Sequence, residues 1–439
     1  MKIFPNKILQ SDMKRNSFYS LFGNLLFALL GFASIAILAR SLSLKEYGIW
    51  IIYLTSSSLI EMMRLGFMHT ALVKFIAGKT EEDSKAYIGS SWIIGLLFTG
   101  ITGLSFFILS NLTSEENPYF LFLRYYPLLA LVNLPQIMSL GILQARMNVK
   151  KQITVKFLAM FFSIMVFIFA SIFSLKIESI IIFHILANLL TSILIIPFAG
   201  ISNLTSATKK HFLELIHFGK FSIGTLIGTN LLKSADTFIL AATLGSENAA
   251  LYSIPLKLTE TFEILLRSII NVTLPKMAHF NNINQIGEVK YIFQKFSGLL
   301  TIFYLPAMLF CFIFAEQIIV ILAGENYIEM ANVFRVFTIF GLFLPIDRFT
   351  GVTLDCLNLP KLNMYKVFFM VICNIVLDLV ILQFTSDLRF IALGTIITCL
   401  LGITLGLKFI NSKFETSFTS IIKSGWTFWT NLPLLSIKK

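Results

Sequence analysis

Charge is the scarcest ingredient of this sequence. Asp, Glu, Lys and Arg supply 13% of the 439 residues, while 56% are hydrophobic and the mean hydropathy is +0.82. Soluble chains run near ~45–50% apolar, so a water-exposed fold could not bury this much apolar surface. A soluble globular domain is excluded, and lipid becomes the solvent. Cysteine is rare as well. Cys311, Cys356, Cys373 and Cys399 sit in or beside apolar runs without CxxC spacing or neighbouring His, which argues against a disulfide scaffold and against a metal site. No HExxH, GxSxG, Walker A or DxD motif occurs, and the interrupting loops are too short for a catalytic domain. The chain reads as a non-enzyme with no cofactor. Without a nucleotide site, any pumping must draw on an ion gradient or on consumption of the cargo.

Acid is the scarcer sign: 23 Asp and Glu face 35 Lys and Arg, a formal net charge of +12. Nucleic acid and the basic bias of short cytoplasmic loops both explain such an excess, and the position of the bases decides. Apolar runs of about 20 residues, the length of a bilayer span, fall near 17–39, 47–77, 87–110, 119–145, 153–175 and 178–200. A second six fall near 217–243, 249–279, 294–322, 330–357, 363–384 and 388–410. The first run is too long for a signal-peptide core and reads as an uncleaved span. Pro135, Pro255, Pro306 and Pro345 lie inside spans as expected kinks.

Twelve spans divide the loops into two alternating sets. One holds Lys2, Lys7, Lys14, Arg15, Lys79, Lys85, Arg146, Lys150, Lys151, Lys156, Lys209, Lys210 and Lys220, and continues through Lys276, Lys290, Lys295, Lys361, Lys366, Lys408, Lys413, Lys423, Lys438 and Lys439. The other offers only Arg40, Lys45, Arg124, Lys176 and Arg389. This asymmetry predicts both termini on the cytoplasmic side of the cell's inner membrane, absorbs most of the basic excess and leaves no role for nucleic acid.

The expected fold class is an all-α integral membrane protein of about twelve transmembrane helices in two six-helix lobes. Residues 1–200 form the N-terminal lobe, 201–218 a cytoplasmic connecting segment, 219–410 the C-terminal lobe and 411–439 an amphipathic cytoplasmic tail with Trp426, Phe428 and Trp429. An internal repeat supports two lobes. A shift of 202 positions lays Ile37-Leu38-Ala39 on Ile239-Leu240-Ala241, Gly48 on Ala250, Trp50 on Tyr252, Glu61 on Glu263 and Lys74 on Lys276. Halves in one orientation imply parallel repeats with a substrate path between them.

An ionisable group at bilayer depth costs about 2.5–3.5 kcal/mol on insertion scales, so each one demands a partner or a cavity. Span eight carries Lys257, Glu260, Glu263, Arg267 and Asn271 within about a third of the helix circumference, a stripe roughly 20 Å long. It reads as cavity lining, as helix-neighbour pairing of Lys257 with Glu260 and Glu263 with Arg267, or as both. Span seven has Lys233 near Asp236, a candidate structural pair, after Gly224 and Gly228 at close-packing spacing. Span two has Glu61 and Arg64, span ten has Arg335, Asp347, Arg348 and Asp355, and Asp378 and His184 stand alone, the His as a packing residue. Counted together, the embedded bases and acids nearly balance. The residues therefore mark a polar path without fixing the sign of its cargo.

Arg40-Ser41-Leu42-Ser43-Leu44-Lys45-Glu46-Tyr47-Gly48 is similar to the Arg-x-Leu, Glu-aromatic-Gly run of the multidrug/oligosaccharidyl-lipid/polysaccharide exporter superfamily, within it the Wzx-type polysaccharide and O-antigen flippases. Arg64-Leu65-Gly66-Phe67 resembles that family's Asp-Leu-Gly-Leu turn, with Arg in place of the acid, which puts in doubt a coupling role carried over to that turn. Asp236-Thr237-Phe238-Ile239-Leu240, Leu244-Gly245 and Ala250-Leu251-Tyr252 resemble the matching run of the second half, and Leu274-Pro275, Pro306, Glu316 and Gly324 fall at its later landmarks. The resemblance spans nearly the whole chain through degenerate motifs. It implies a MATE-like, V-shaped pair of lobes that carries an undecaprenyl-pyrophosphate-linked glycan to the periplasmic face by alternating access.

In that reading Arg64, Lys233, Lys257, Arg267, Arg335 and Arg348 bind cargo, while Glu61, Asp236, Glu260, Glu263, Asp347 and Asp378 exchange H+ or Na+. The implied partners are the lipid-linked oligosaccharide, membrane lipids, a polysaccharide polymerase and chain-length proteins, for polysaccharide or lipopolysaccharide biosynthesis. A cation-coupled multidrug exporter of the same fold and a membrane glycosyl- or acyltransferase are the alternatives.

Overall fold

A computed structural model of the chain describes residues 23, 26, 27, 29–77 and 79–430, without the side chains of 67, 220–222, 225, 271, 275 and 282. The start of the first expected span with Lys2, Lys7, Lys14 and Arg15, the terminal Lys438 and Lys439, and the side chains of Lys220, Asn271 and Pro275 lie outside the described residues. No strand occurs among the described residues. The first half contains α1 (Leu29–Ser41), α2 (Leu44–Arg64), a π-helical segment Leu65–Thr70, α3 (Ala71–Ile76), α4 (Glu81–Leu112), α5 (Phe120–Ala145), α6 (Val149–Ile172) and α7 (Ile177–Ile195). Two 3-10 turns, Ile196–Phe198 and Ile201–Ser206, lead into α8 (Lys209–Thr243). Then follow α9 (Ser246–Asn282), α10 (Ile286–Ile313), α11 (Ala315–Ala323), a 3-10 segment Glu325–Met330, α12 (Ala331–Cys356), α13 (Pro360–Phe384), α14 (Leu388–Ile410) and α15 (Phe418–Thr430).

Eight of the described helices, α4–α7, α10 and α12–α14, are long and apolar enough to cross a membrane, α12 together with the 3-10 segment before it. α2–α3, α8 and α9 have the length but carry the embedded charges, which lower their hydropathy. On α4, Leu97, Ile101, Leu104 and Ile108 recur at helical spacing and are each more than half exposed, the pattern of a lipid-facing stripe.

Short polar residues set the helix boundaries. The Ser43 hydroxyl accepts from the Glu46 amide while the Glu46 carboxylate accepts from the Ser43 amide, a reciprocal cap at the start of α2. The Glu-aromatic-Gly run thus has a local cause, and Gly48 adds a second. A Cβ there would lie 1.9 Å from the Ser246 carbonyl oxygen, so only glycine permits that approach. Asp387 caps α14, and hydrogen bonds from Arg389 hold its carboxyl below the usual carboxylate range. Arg64-Leu65-Gly66-Phe67 forms no turn: the helix continues through it in π geometry, and a Cβ on Gly66 would meet Ile223 of α8 at 2.4 Å. Gly224 faces open space, so its spacing with Gly228 does not mark a close-packed seam at that residue.

The repeat is visible in the helix boundaries. α1 ends at Ser41 and α8 at Thr243, and α2 starts at Leu44 and α9 at Ser246, each 202 positions on. α5 and α12 correspond at both ends with a shift of 211. The change of shift falls where the second half carries the nine-residue α11. The links after α5 and α12 also match. Met147 and Asn358 both take positive φ, 54° and 61°, and Asn148 N donates to Leu143 O as Leu359 N does to Leu354 O, both at 2.9 Å.

The chain forms two compact units. The first holds the chain through Asn230 plus Gly245–Ala250, and the second Leu231–Leu244 plus Leu251 onward. Met68, Leu72, Trp92, Leu134, Met138 and Leu215 centre the first core, where the Trp92 indole donates to Ala199 O at 2.9 Å. Leu266, Phe293, Leu300, Leu344, Phe349, Cys399 and Ile403 centre the second. Within the expected tail, residues Phe418–Thr430 form α15, which packs along α10. Gly298 meets Ile421 O and Gly425 there, and Gln294 donates to Thr416 and Ser420 at 3.0 and 3.1 Å.

Candidate functional site

In the second unit, α8, α9 and α12 converge on one carboxylate. Glu263 Oε2 accepts from Lys233 Nζ at 2.7 Å and from Arg267 Nη2 at 2.6 Å, and Oε1 accepts from Arg348 Nη2 at 2.7 Å. Three bases against one acid leave two positive charges uncompensated within this group. The Glu263 side chain is 9% exposed, whereas Lys233, Arg348 and Arg267 are 28%, 26% and 63% exposed. The acid is therefore a buried hub whose bases keep donors for an anion. Lys233 pairs with this Glu and not with Asp236, as its spacing had led one to expect. The long lysine side chain reaches across to α9, while the short Asp236 faces another way.

Asp236 joins a second group built from α8, α9, α13 and α14. Its carboxylate accepts from Asn374 Nδ2 at 2.5 Å, from Tyr252 OH at 2.5 Å and from Thr395 Oγ1 at 3.1 Å, and Asn374 Nδ2 also donates to Asp378 at 3.2 Å. Asp236, Asn374 and Asp378 are all buried. Asp378 Oδ1 and Asn374 Oδ1 have no hydrogen-bond partner among the described residues. Two buried carboxylates sharing one amide need a proton or a cation to balance them.

Asp347 is neutralised locally. The Lys366 ammonium donates to Asp347 Oδ1 at 2.6 Å, to Thr350 Oγ1 at 2.7 Å and to Asp347 O at 3.0 Å, which uses all three of its protons. Lys366 is 2% exposed, so it is not the loop base that the charge pattern suggested. Helix α13 starts at Pro360, and this carries Lys366 inward on the second turn. Lys233, Glu263 and Arg348 of the first group, Asp236, Asn374 and Thr395 of the second, and Asp347 line one cavity of about 60 Å³, room for roughly two waters or a small ion and far too small for a sugar chain.

Of the remaining candidates, Glu260 lines the same cavity and pairs with Lys257 at 3.0 Å, each about 40% exposed. Arg64 is fully buried in the first unit, where it donates to Glu61 at 2.5 Å and to Ala130 O at 2.8 Å while Tyr126 OH donates to the same Glu61, so its charge is enclosed. Arg335 donates to Glu316 at 2.8 Å, and Asp355 accepts from Asn363. His184 packs on Trp50 edge-to-face at 5.3 Å and on Phe167. The sequence reading missed Tyr252, Asn374 and Thr395, because uncharged polar residues in apolar helices raise no alarm. Residue periodicity carried a signal all the same, since Asn374 and Asp378 stand four apart on α13.

The two halves differ at corresponding positions. By the shifts of 202 and 211, Tyr252, Asp378 and Thr395 correspond to Trp50, Phe167 and His184, and Asp236 to Ser34. A polar, acidic group in the second unit thus stands where the first unit has an aromatic cluster.

The fold recurs in solved transporter structures. The chain matches lipid II flippase MurJ in an inward closed conformation with a TM-score of 0.75 and 15% identity, over 95% of this chain and 93% of that one. It matches the inward-facing conformation of a multidrug resistance MATE family transporter of the MOP superfamily with a TM-score of 0.74 and 13% identity, over 90% and 99%. A MOP superfamily transporter from Pyrococcus furiosus matches with 0.64 and 13%, over 92% and 96%. These likenesses establish the helical, two-lobed MATE-like membrane fold. No curated protein matches in sequence. A family model described as polysaccharide biosynthesis protein matches residues 37–332, about two thirds of the sequence, and by that match the chain belongs to the polysaccharide biosynthesis protein family.

Proposed function

We propose that this multi-pass membrane protein is a flippase that moves an undecaprenyl-pyrophosphate-linked oligosaccharide across the cytoplasmic membrane, with both termini on the cytoplasmic side. The observation that carries the reading is the excess of base around Glu263. Lys233, Arg267 and Arg348 retain two net positive charges at a partly open position, which suits a diphosphate leaving the headgroup region. The glycan stays outside the 60 Å³ cavity. Asp236 and Asp378 exchange the coupling H+ or Na+ beside it, so ion occupancy and anion binding influence each other electrostatically. Membership of the family and the likeness to a lipid II flippase support a lipid-linked cargo.

A cation-coupled multidrug exporter is the second reading, favoured by the likeness to MATE transporters. A cationic drug would be repelled by the same bases. Deletion of the gene separates the two. Lipid-linked repeat units accumulating on the cytoplasmic leaflet, and complementation lost in Arg267→Gln and Arg348→Gln, support the flippase. Unchanged lipid-linked pools with new drug sensitivity overturn it.

A further inference from the structure

We infer that the first unit holds an anionic phospholipid headgroup in a cavity separate from the cargo site. The cavity, about 410 Å³, lies where the start of α4, the end of α5, the start of α6 and the turns after α7 meet. Its charged lining is Lys85, Arg146, Lys151 and Glu81, and with Glu82 paired to Lys85 the cluster keeps one net positive charge. Arg146 donates to Glu81 at 2.8 Å and Lys85 to Glu82 at 2.7 Å, with all four side chains 44–82% exposed. Lys151 makes no ion pair among the described residues and lies 4.7 Å over the Phe198 ring. Asn148 caps α6 with its side chain, which sets the Lys151 amide at the rim.

Two further observations point to lipid. An exposed apolar stripe on α7, Leu186, Leu190, Ile193 and Leu194, continues through Ile196 to Phe198, which lines the cavity. A headgroup in the cavity would lay its acyl chains along that stripe. The duplication also distinguishes a built site from general loop basicity. Around the matching link of the second unit, Arg146 corresponds to Leu357 and Lys151 to Leu362, so these two bases belong to the first half alone. Basic pockets of this kind between membrane helices bind anionic headgroups through charge and hydrogen bonding.

The full chain, purified in detergent, is melted with added phosphatidylglycerol, phosphatidylethanolamine, phosphatidylcholine or inorganic pyrophosphate, and the lipid it retains is counted by native mass spectrometry. The expected result is one retained phosphatidylglycerol and a rise in melting temperature of about 2–5 °C with that lipid alone. Both are lost in Lys151→Ala and in Arg146→Ala/Lys151→Ala. They persist in Lys361→Ala/Lys413→Ala, which removes as much charge from the second unit. Equal stabilisation by phosphatidylethanolamine overturns the anionic lipid, equal stabilisation by pyrophosphate overturns the lipid source, and equal loss in the control variant overturns the site. If the double variant does not fold, the single Lys151→Ala variant and the lipid count decide.

Discussion

At Glu263, folding and the proposed function meet in one residue. Its carboxylate, 9% exposed, is shared by three bases, so Glu263→Gln leaves Lys233 and Arg348 partly buried with no counter-charge. Removing one member of a buried ion pair costs about 3–5 kcal/mol. The expected outcome is a steep fall in the amount of protein in the membrane, measured by immunoblot, with partial recovery in Glu263→Asp. Arg267 makes the opposite case. Its side chain is 63% exposed, and an exposed pair contributes about 0–1 kcal/mol. Arg267→Gln should leave membrane levels near wild type while surface polysaccharide falls. Lost protein in that variant would make Arg267 a structural partner and not a cargo ligand.

At the scale of elements, the two turns that follow α5 and α12 give a direct test of the duplication. Both need a left-handed residue, which costs about 1–2 kcal/mol for a side chain such as Met and less for Asn, whose short polar group tolerates it. Met147→Asn should raise the melting temperature by about 1–3 °C, and Asn358→Met should lower it by a similar amount. Shifts of the same sign would mean that the links are not equivalent. Much of the element plan was legible in the sequence, because apolar runs of span length follow from the bilayer itself. α4–α7 and α12–α14 fall where the hydropathy placed them. The partners were not legible. Lys233 chooses Glu263 over Asp236 through a contact between helices, and Lys366 is buried because Pro360 begins α13 earlier than the apolar run does. Local spacing records neighbours on one helix and nothing of the helix packed across from it.

At the scale of the whole molecule, two halves with matching helix boundaries carry different side chains at corresponding positions. In the first unit Trp50 stands edge-on to Phe167 and His184 at 5.4 and 5.3 Å, an arrangement with no carboxylate to balance. At the corresponding places in the second unit, Tyr252, Asp378 and Thr395 surround Asp236 and Asn374, and two acceptor oxygens are left over. In the proposed reading the coupling ion sits at Asp236 and Asp378, so the expected stoichiometry is one coupling ion per chain. Binding of radioactive sodium to the purified protein, or the proton released when sodium is added, counts it. Wild type and His184→Ala should give one, and Asp378→Asn and Asp236→Asn should give none, with transport in those two variants indifferent to the ion gradient. If sodium does not bind and transport instead varies with pH in wild type but not in Asp378→Asn, the ion is the proton and the site stands. Two ions per chain, or ion dependence that survives in both Asp variants, would move coupling away from this pocket and leave its carboxylates a structural part of the fold.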